Sequence, residues 1–277
     1  MIGAGVTGVL HGKHAVIVGG GSGIGLGSAQ LLAKDGATVT LAGRTEQKLR
    51  AAAATIEAAG GTARIAVCDG LSGADVKAAV DTASDENGGV HIAVVVPGGG
   101  SIKPVLLYDD DQFSAEVDKN VRPVYLLLKY AGQAMIRAGG GSFVAISSTA
   151  AVFSTRYLAS YAAGKAAVDQ LLRVAANELG QHNVRVNGVR PGFTRTATTE
   201  GSWGNPAMLQ AFLAEQPIHR HGEVNDIAQA VRYFAGPESS WTTGQLVTVD
   251  GGNTLRSFVN YDELIPIPDQ AAAARGE

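Results

Sequence analysis

Short runs rich in β-branched and apolar residues recur along the chain, separated by longer alanine-rich stretches with helical spacing. The runs are His14–Val18, Thr38–Ala42, Ala63–Val67, Ile92–Val96, Phe143–Ile146, Val184–Val189 and Gln245–Val249, and their length and composition predict seven strands. Between the early runs, Ile24–Lys34, Glu46–Ala59 and Ala74–Ala83 contain few breakers. The pattern is therefore βαβ, repeated. Ile92-Ala93-Val94-Val95-Val96 is apolar at every position, which fits a strand buried on both faces of a parallel sheet covered by helices. A doubly wound α/β sheet of this kind binds ligands beyond the carboxyl ends of its strands, so the residues following each strand are where chemistry is expected.

The length of 277 residues is compatible with one domain spanning the whole chain. Hydrophobic residues make up 45% and charged residues 17%, the balance of a chain that folds throughout most of its length. A formal net charge of −3, with no long block of like charge, makes nucleic acid an unexpected partner. Cys68 is the single cysteine. It excludes an intramolecular disulfide, reads as a buried inert thiol and favours a reducing compartment. The opening residues lack the pattern of a secretory leader and no apolar run is membrane-sized, so a cytoplasmic protein with no membrane partner is expected.

After the first strand comes Gly19-Gly20-Gly21-Ser22-Gly23-Ile24-Gly25, leading straight into the helical stretch Leu26–Lys34. Glycines there allow positive φ and close approach of the backbone to a pyrophosphate, and the helix start offers unpaired N–H groups and partial positive charge. The strand, the glycines and the helix in this order point to dinucleotide binding rather than an ordinary turn. Gly3-Ala4-Gly5-Val6-Thr7-Gly8 fits the same G-x-G-x-x-G spacing, but no strand precedes it, and it reads as an N-terminal tail. The second strand ends in Leu41-Ala42-Gly43-Arg44-Thr45, without the acid that usually meets the adenosine ribose. Arg44 suits a 2′-phosphate through its planar fork of donors, which favours NADP, with NAD as the alternative.

Tyr161-Ala162-Ala163-Gly164-Lys165 lies in a helical segment running to about Leu179, so Tyr161 and Lys165 share one face. A phenol titrates near ~10 and exchanges protons poorly at neutral pH; an adjacent ammonium and a nicotinamide cation are expected to favour its phenolate. By itself the pair better fits an amphipathic tyrosine and a surface lysine. Ser147 and Ser148 follow the strand Phe143–Ile146, on the edge where a hydroxyl could meet a substrate oxygen.

Taken together, the Gly-rich turn, Asn120, Ser148, the Tyr161/Lys165 pair, Pro191-Gly192 and Val249-Asp250-Gly251-Gly252 resemble the short-chain dehydrogenase/reductases, 3-oxoacyl-[acyl-carrier-protein] reductases among them, over about residues 10–252. The resemblance implies a Rossmann-type sheet with helices on both faces, a nicotinamide cofactor, a small carbonyl or alcohol substrate, and a homotetramer or dimer. It makes Tyr161 the acid/base, Ser148 the holder of the substrate oxygen and Lys165 a ligand of the nicotinamide ribose that depresses the tyrosine pKa. Asn120 corresponds to the helix asparagine that holds a water of the proton relay. Asp69 corresponds to the adenine-contacting aspartate, followed here by Gly70, while Ile24 would pack beneath the nicotinamide. Pro191, Gly192, Thr194 and Thr196 match the segment that contacts the carboxamide and phosphates. Two departures stand out: Val18 replaces the family's threonine before the first glycine, and its Asn-Asn-Ala-Gly is Val95-Val96-Pro97-Gly98 here, where Gly98 keeps the glycine beside the cofactor.

The stretch 197–223 corresponds to the family's substrate lid and carries Trp203, Met208, Phe212, His219, Arg220 and His221. Arg195, Arg220 and Arg156-Tyr157 raise an anionic or thioester-linked substrate against the reading of solvated loop charge. His219 and His221 are a weak ligand set without a nearby cluster of carboxylates or thiolates, and no metal is expected. Beyond Gly252, the extension 253–277 holds Phe258, Tyr261, Leu264 and Ile265, which are expected to pack on the active-site rim or on a partner subunit, with Gln270–Glu277 disordered. The functional expectation is an NADP(H)-dependent oxidoreductase that moves hydride between nicotinamide and a ketone or secondary alcohol, with Tyr161 as acid/base. An NAD(P)-dependent alcohol, steroid or 3-hydroxyacyl thioester dehydrogenase is the alternative, with a non-catalytic dinucleotide-binding regulator behind it.

Overall fold

The computed structural model describes residues 8–84, 89–197, 199–200, 204–259, 261 and 264–276. In chain order the elements are β1 (His14–Val18), α1 (Gly23–Lys34), β2 (Thr38–Gly43), α2 (Glu46–Ala58), β3 (Thr62–Val67), α3 (Gly73–Ala83) and β4 (Ile92–Val95). There follow α4 (Asp110–Arg137), β5 (Gly141–Ile146), α5 (Ala159–Leu179), β6 (Val184–Pro191), α6 (Pro206–Ala214), α7 (Val224–Ala235), β7 (Leu246–Val249) and α8 (Gln270–Ala274). The seven strands form one sheet in the order β3-β2-β1-β4-β5-β6-β7, and every neighbouring pair is parallel. The Rossmann-type doubly wound architecture follows from this order.

Alternation along the strands assigns the two faces. Val16 and Val18 of β1, Ala93 and Val95 of β4, and Phe143 and Ala145 of β5 are buried against Val76 and Val80 of α3, Val124 and Leu127 of α4 and Val168 and Leu172 of α5. Their alternates, Ala15 and Ile17, Ile92 and Val94, and Val144 and Ile146, are buried against Leu32 of α1, Leu49 and Ile56 of α2 and Ile227 and Val231 of α7. Burial on both faces explains why these strands read as continuous apolar runs.

The chain runs out from β1 toward β2 on one side and returns through β4 on the other, so the switch point lies between β1 and β4. There the loops after the two strands meet: a methyl group built on Gly19 would lie 3.0 Å from the Val96 carbonyl oxygen. A crevice at this place is where a doubly wound sheet takes its nucleotide.

A third cluster stands apart from the sheet. Met208 and Phe212 of α6 are buried with Val259 and Tyr261 of the extension, and Phe193, Phe258, Leu264 and Ile265 pack around them. Phe193 stacks on Phe212 at 3.9 Å between centroids, while Phe258 meets Phe212 edge-on at 5.6 Å and Phe153 at 5.4 Å. Burial pushes the Tyr261 phenol up to about 12. The extension therefore packs on α6 of its own chain. Gln270–Ala274, where disorder was expected, is helical: the Asp269 carboxylate accepts from the Ala271 and Ala272 amides, supplying the cap that alanine-rich helices need, and α8 touches the turn Val105–Leu107.

Candidate active site

The glycine turn is built by close backbone approach. A methyl group on Gly25 would sit 2.1 Å from the Gly19 carbonyl oxygen, and one on Gly20 2.9 Å from that of Ile17, so neither position tolerates a side chain without moving the main chain. Gly19 and Gly23 take positive φ, +86° and +52°. Ser22 caps α1 in extended conformation without using its side chain on the helix N–H groups, which leaves those donors available to an anion. Gly21 lies against Leu49 of α2, and a methyl on Gly23 would touch Thr196 at 3.7 Å, bringing the turn and the segment after β6 together over one crevice. Ile24 is partly buried against the sheet face that holds Val96 and Val249.

The other candidates around the nucleotide crevice are placed unevenly. Arg44 is exposed directly after β2 and has no ion-pair partner among the described residues. Asp69, also exposed, accepts from the Leu71 amide at 3.0 Å while its own amide donates to Asp75. Pro191 ends β6 and is buried. A methyl on Gly192 would lie 2.6 Å from the Asp250 side chain. Thr194 is buried with its hydroxyl donating to the Gly192 carbonyl at 3.0 Å, so that hydroxyl shapes the loop, whereas Thr196 and Thr199 share a hydroxyl contact of 3.2 Å.

Beyond β5 and β4 the second half of the site assembles. Ser148 accepts from the Ala150 amide at 3.1 Å and hydrogen-bonds the Tyr161 phenol. The Lys165 amine lies 5.5 Å from the centre of the Tyr161 ring. It is 1% exposed and donates to the carbonyls of Pro97 at 2.8 Å and Ile146 at 3.0 Å. Ser147 is buried against the Lys165 carbonyl at 3.5 Å. Asn120 is fully buried, with its amide group donating to the carbonyls of Glu116 and Gly99, while its Oδ1 has no partner among the described residues. A methyl on Gly98, whose φ is +136°, would lie 3.0 Å from that oxygen and 3.2 Å from the lysine amine. Gly164 was not singled out by the motif, yet a methyl there would meet Asn120 at 2.8 Å. It is the close contact that lets α5 lie on α4 at this point.

The expectation of a depressed phenol rests on the Lys165 ammonium together with a nicotinamide cation; in the chain by itself, desolvation raises the phenol above its ordinary value, against the lowering effect of the Ser148 hydrogen bond. Desolvation also pushes Lys165 down to about 7, opposed by the negative charge of Asp169. Asp169 is itself paired with Arg190 at 2.6 Å. Burial disfavours the charged form of both groups, which favours the neutral phenol and brings the titration of the amine close to neutrality. Cys68 is 1% exposed, and burial, then Asp75 and Asp69, raise its thiol to about 11, the state of an inert thiol.

Of the cations raised as anion receptors, Arg220 forms a two-pronged pair with Asp226 at 2.6 and 2.9 Å, Arg156 stacks on the Tyr157 ring at 5.0 Å, and Arg195 is exposed. Tyr157 itself takes φ +69° two residues before α5. Trp203 lies outside the described residues. Among the described residues no group of three or more His, Cys, Asp or Glu could hold a metal, and no helix is long and apolar enough to cross a membrane.

A glycine cradle at a helix start, across the switch point from a serine, tyrosine and lysine, defines a dinucleotide-dependent oxidoreductase. A family model described as Enoyl-(Acyl carrier protein) reductase matches residues 19–254. The chain is 36% identical over 243 residues to 7alpha-hydroxysteroid dehydrogenase of Escherichia coli, covering 88% of this chain and 94% of that one. Its fold is similar to a short-chain type dehydrogenase/reductase from Mycobacterium ulcerans, with TM-score 0.89, 36% identity and coverage of 92% and 94%. A 7 alpha-hydroxysteroid dehydrogenase complexed with NADH and 7-oxo glycochenodeoxycholic acid superimposes with TM-score 0.85 at 34% identity, covering 91% and 97%. The chain belongs to the short-chain dehydrogenase/reductase family, and it is an NAD(P)-dependent oxidoreductase that transfers hydride.

The lid contacts carry a prediction. Truncation after Gly252 strips Val259 and Tyr261 from Met208 and Phe212. Substrate KM is expected to rise ~10-fold, as for loss of one or two buried apolar contacts, with cofactor affinity unchanged. Unaltered KM would show that the lid does not depend on the extension.

Proposed function

We propose that the chain is a single-domain, NADP(H)-dependent reductase of ketones, with Tyr161 as proton donor, Ser148 as holder of the substrate oxygen, and Lys165 and Asn120 behind them. The observation that carries this reading is the Ser148–Tyr161–Lys165 group beside Gly98 and Asn120, across the β1/β4 switch point from the glycine turn. A reduced dinucleotide held at that turn would supply the hydride for the carbonyl carbon. Tyr161 gives its proton to the carbonyl oxygen, so ketone, hydride and proton balance to a secondary alcohol. Ser148 donates to the same oxygen as charge develops on it. The phenolate left behind lies near the Lys165 amine, whose pKa of about 7 lets it supply positive charge or a proton at neutral pH.

Gly19, Gly21, Ser22, Gly23 and Gly25 would hold the pyrophosphate, with Ile24, Gly98, Pro191, Gly192, Thr194 and Thr196 around the nicotinamide end and Asp69 near adenine. Arg44 would hold the 2′-phosphate: exposed, without an ion-pair partner and placed at the end of β2, it has the charge and reach for it. Oxidation of a bulky apolar secondary alcohol is the second reading. The aromatic cluster of Phe193, Phe212 and Phe258 favours it, as do the relatives named for hydroxysteroids. A homo-oligomer and a reducing, cytoplasmic setting complete the proposal.

The test is a panel of ketones, 3-oxoacyl thioesters and secondary alcohols followed through nicotinamide absorbance with both cofactors. Arg44→Asp is expected to weaken NADPH binding ~10–100-fold, the worth of charge-assisted hydrogen bonds, while NADH binding is maintained. Equal affinity of the parent for both cofactors, untouched by Arg44→Asp, would overturn the NADP assignment. Turnover of no carbonyl or alcohol in the panel would overturn the catalytic one.

A further inference from the structure

The loop after β4 lies against the proton-transfer group and has little of its own to hold it. Gly98-Gly99-Gly100 follow one another, with φ +136° and +117° at the first two, and the preceding Val95, Val96 and Pro97 have no side chain that can hydrogen-bond. Such a sequence loses much conformational entropy when fixed. Yet its carbonyls must stay in place, because Pro97 accepts from the Lys165 amine and Gly99 from the Asn120 amide. Gly100 also passes so close to α5 that a methyl on it would lie 2.9 Å from the Tyr161 Cβ.

One side chain meets this loop and both helices that carry the site. The Glu116 carboxylate, on the first turns of α4, accepts from the Ser101 amide at 3.0 Å and the Ser101 hydroxyl at 2.6 Å. It also accepts from the Gln112 amide at 3.1 Å and from the Ser160 hydroxyl at 2.5 Å. Ser160 is fully buried and immediately precedes Tyr161. The main-chain carbonyl of Glu116 takes the Asn120 side chain at 2.8 Å. Tyr108 closes the ring, with its hydroxyl 3.1 Å from that of Ser160 and 3.3 Å from the Ser101 carbonyl. Burial works against the charge on Glu116, but the hydrogen bonds from Ser101, Ser160 and Gln112 outweigh it and bring the carboxyl down to about 2, so it stays an anionic acceptor throughout the working range.

We propose that Glu116 is a positioning residue: it ties the triglycine loop to the start of the Tyr161 helix and so keeps Pro97, Gly99 and Tyr161 in register for proton transfer. This rests on the assignment of Tyr161 as proton donor. Glu116 touches neither that phenol nor the Lys165 amine. It acts through Ser101 and Ser160, and four donors on a single ionised carboxylate make a clamp that an amide cannot reproduce.

The experiment uses the full chain with NADPH and the fastest ketone of the panel. Glu116→Gln is expected to lower kcat ~10–100-fold, the cost of displacing a reacting group by about an ångström, with NADPH affinity within about two-fold. Ser160→Ala, which removes the hydroxyl shared by Glu116 and Tyr108, is expected to lower kcat several-fold. The double variant should be no slower than Glu116→Gln alone, because both changes cut the same connection. A Glu116→Gln protein with full kcat overturns the proposal. So does additivity in the double variant, or a loss confined to folded yield with kcat per active site unchanged. If Glu116→Gln does not fold, Ser160→Ala at unaltered kcat overturns it by itself. Tyr161→Phe run alongside separates the two readings: an active Tyr161→Phe enzyme removes the proton-donor assignment, whereas an inactive one with normal Glu116→Gln removes this inference alone.

Discussion

Replacing Tyr161 with phenylalanine is expected to leave a folded protein that binds NADPH normally and reduces ketones ~10³-fold more slowly, within the usual range for removing a general acid. The ring keeps its packing, so only the hydroxyl that faces Ser148 is lost. Without it, the oxygen of the carbonyl acquires negative charge as hydride arrives and has a serine hydroxyl to lean on but no acid to protonate it. Because burial raises the phenol above its ordinary value, the tyrosine keeps its proton across the neutral range, and the reductive rate of the parent enzyme is expected to show no loss on the alkaline side until well above neutrality. Steady-state rates together with a fluorescence titration of NADPH separate chemistry from binding. More than a tenth of parental kcat in Tyr161→Phe would place the acid elsewhere, with Ser148 the next group to replace.

The strands were legible because their neighbours impose a pattern that needs no partner to be seen: burial on both faces writes Val94 and Val95 as readily as Ile17 and Val18. Boundaries moved by a residue or two; Val96 leaves β4 because its amide still reaches Val18 while its carbonyl turns to face Gly19. The glycine cradle and the four-residue step from Tyr161 to Lys165 were legible for the same reason, since each is a local device. What local reading did not supply depends on approach between distant segments. Gly164 is small because Asn120 lies against it, and Gly100 because Tyr161 does; nothing near either residue announces this. Glu116 reads as one acid on a polar helix start until Ser101 and Ser160 are brought to it. Spacing reports the proximity of Tyr161 and Lys165 but not the loss of water, which is the largest influence on both in the chain by itself. The extension's apolar residues were seen, and so was their need for cover; their seat on α6 is tertiary, and the capping of α8 by Asp269 prevailed over the expectation of a disordered tail.

Lys165→Met is expected to change two measurements at once, and the second distinguishes a buried titrating amine from a passive core residue. Turnover should fall ~10²–10⁴-fold, because the positive charge available to the phenolate is gone. The stability of the cofactor-free protein should lose a pH dependence. The amine titrates near 7 in the folded chain against an ordinary value of 10.5, so between those values the unfolded chain holds a proton that the folded chain has released. Unfolding then takes up a proton, and the free energy of unfolding rises with pH by up to about 1.4 kcal/mol per pH unit across that window. Below about 7 both states carry the proton and the slope vanishes. Methionine fills the same channel without a titrating group, leaving the Pro97 and Ile146 carbonyls unpartnered at a cost of roughly 1–3 kcal/mol each, a penalty that does not vary with pH. The difference in Tm between parent and variant, followed by calorimetry from pH 7 to 9.5, should therefore shift steadily in favour of the parent. A difference that stays constant over this range would mean that the folded amine keeps its proton, and that Lys165 faces the tyrosine as a permanent ammonium rather than as a base poised near neutrality.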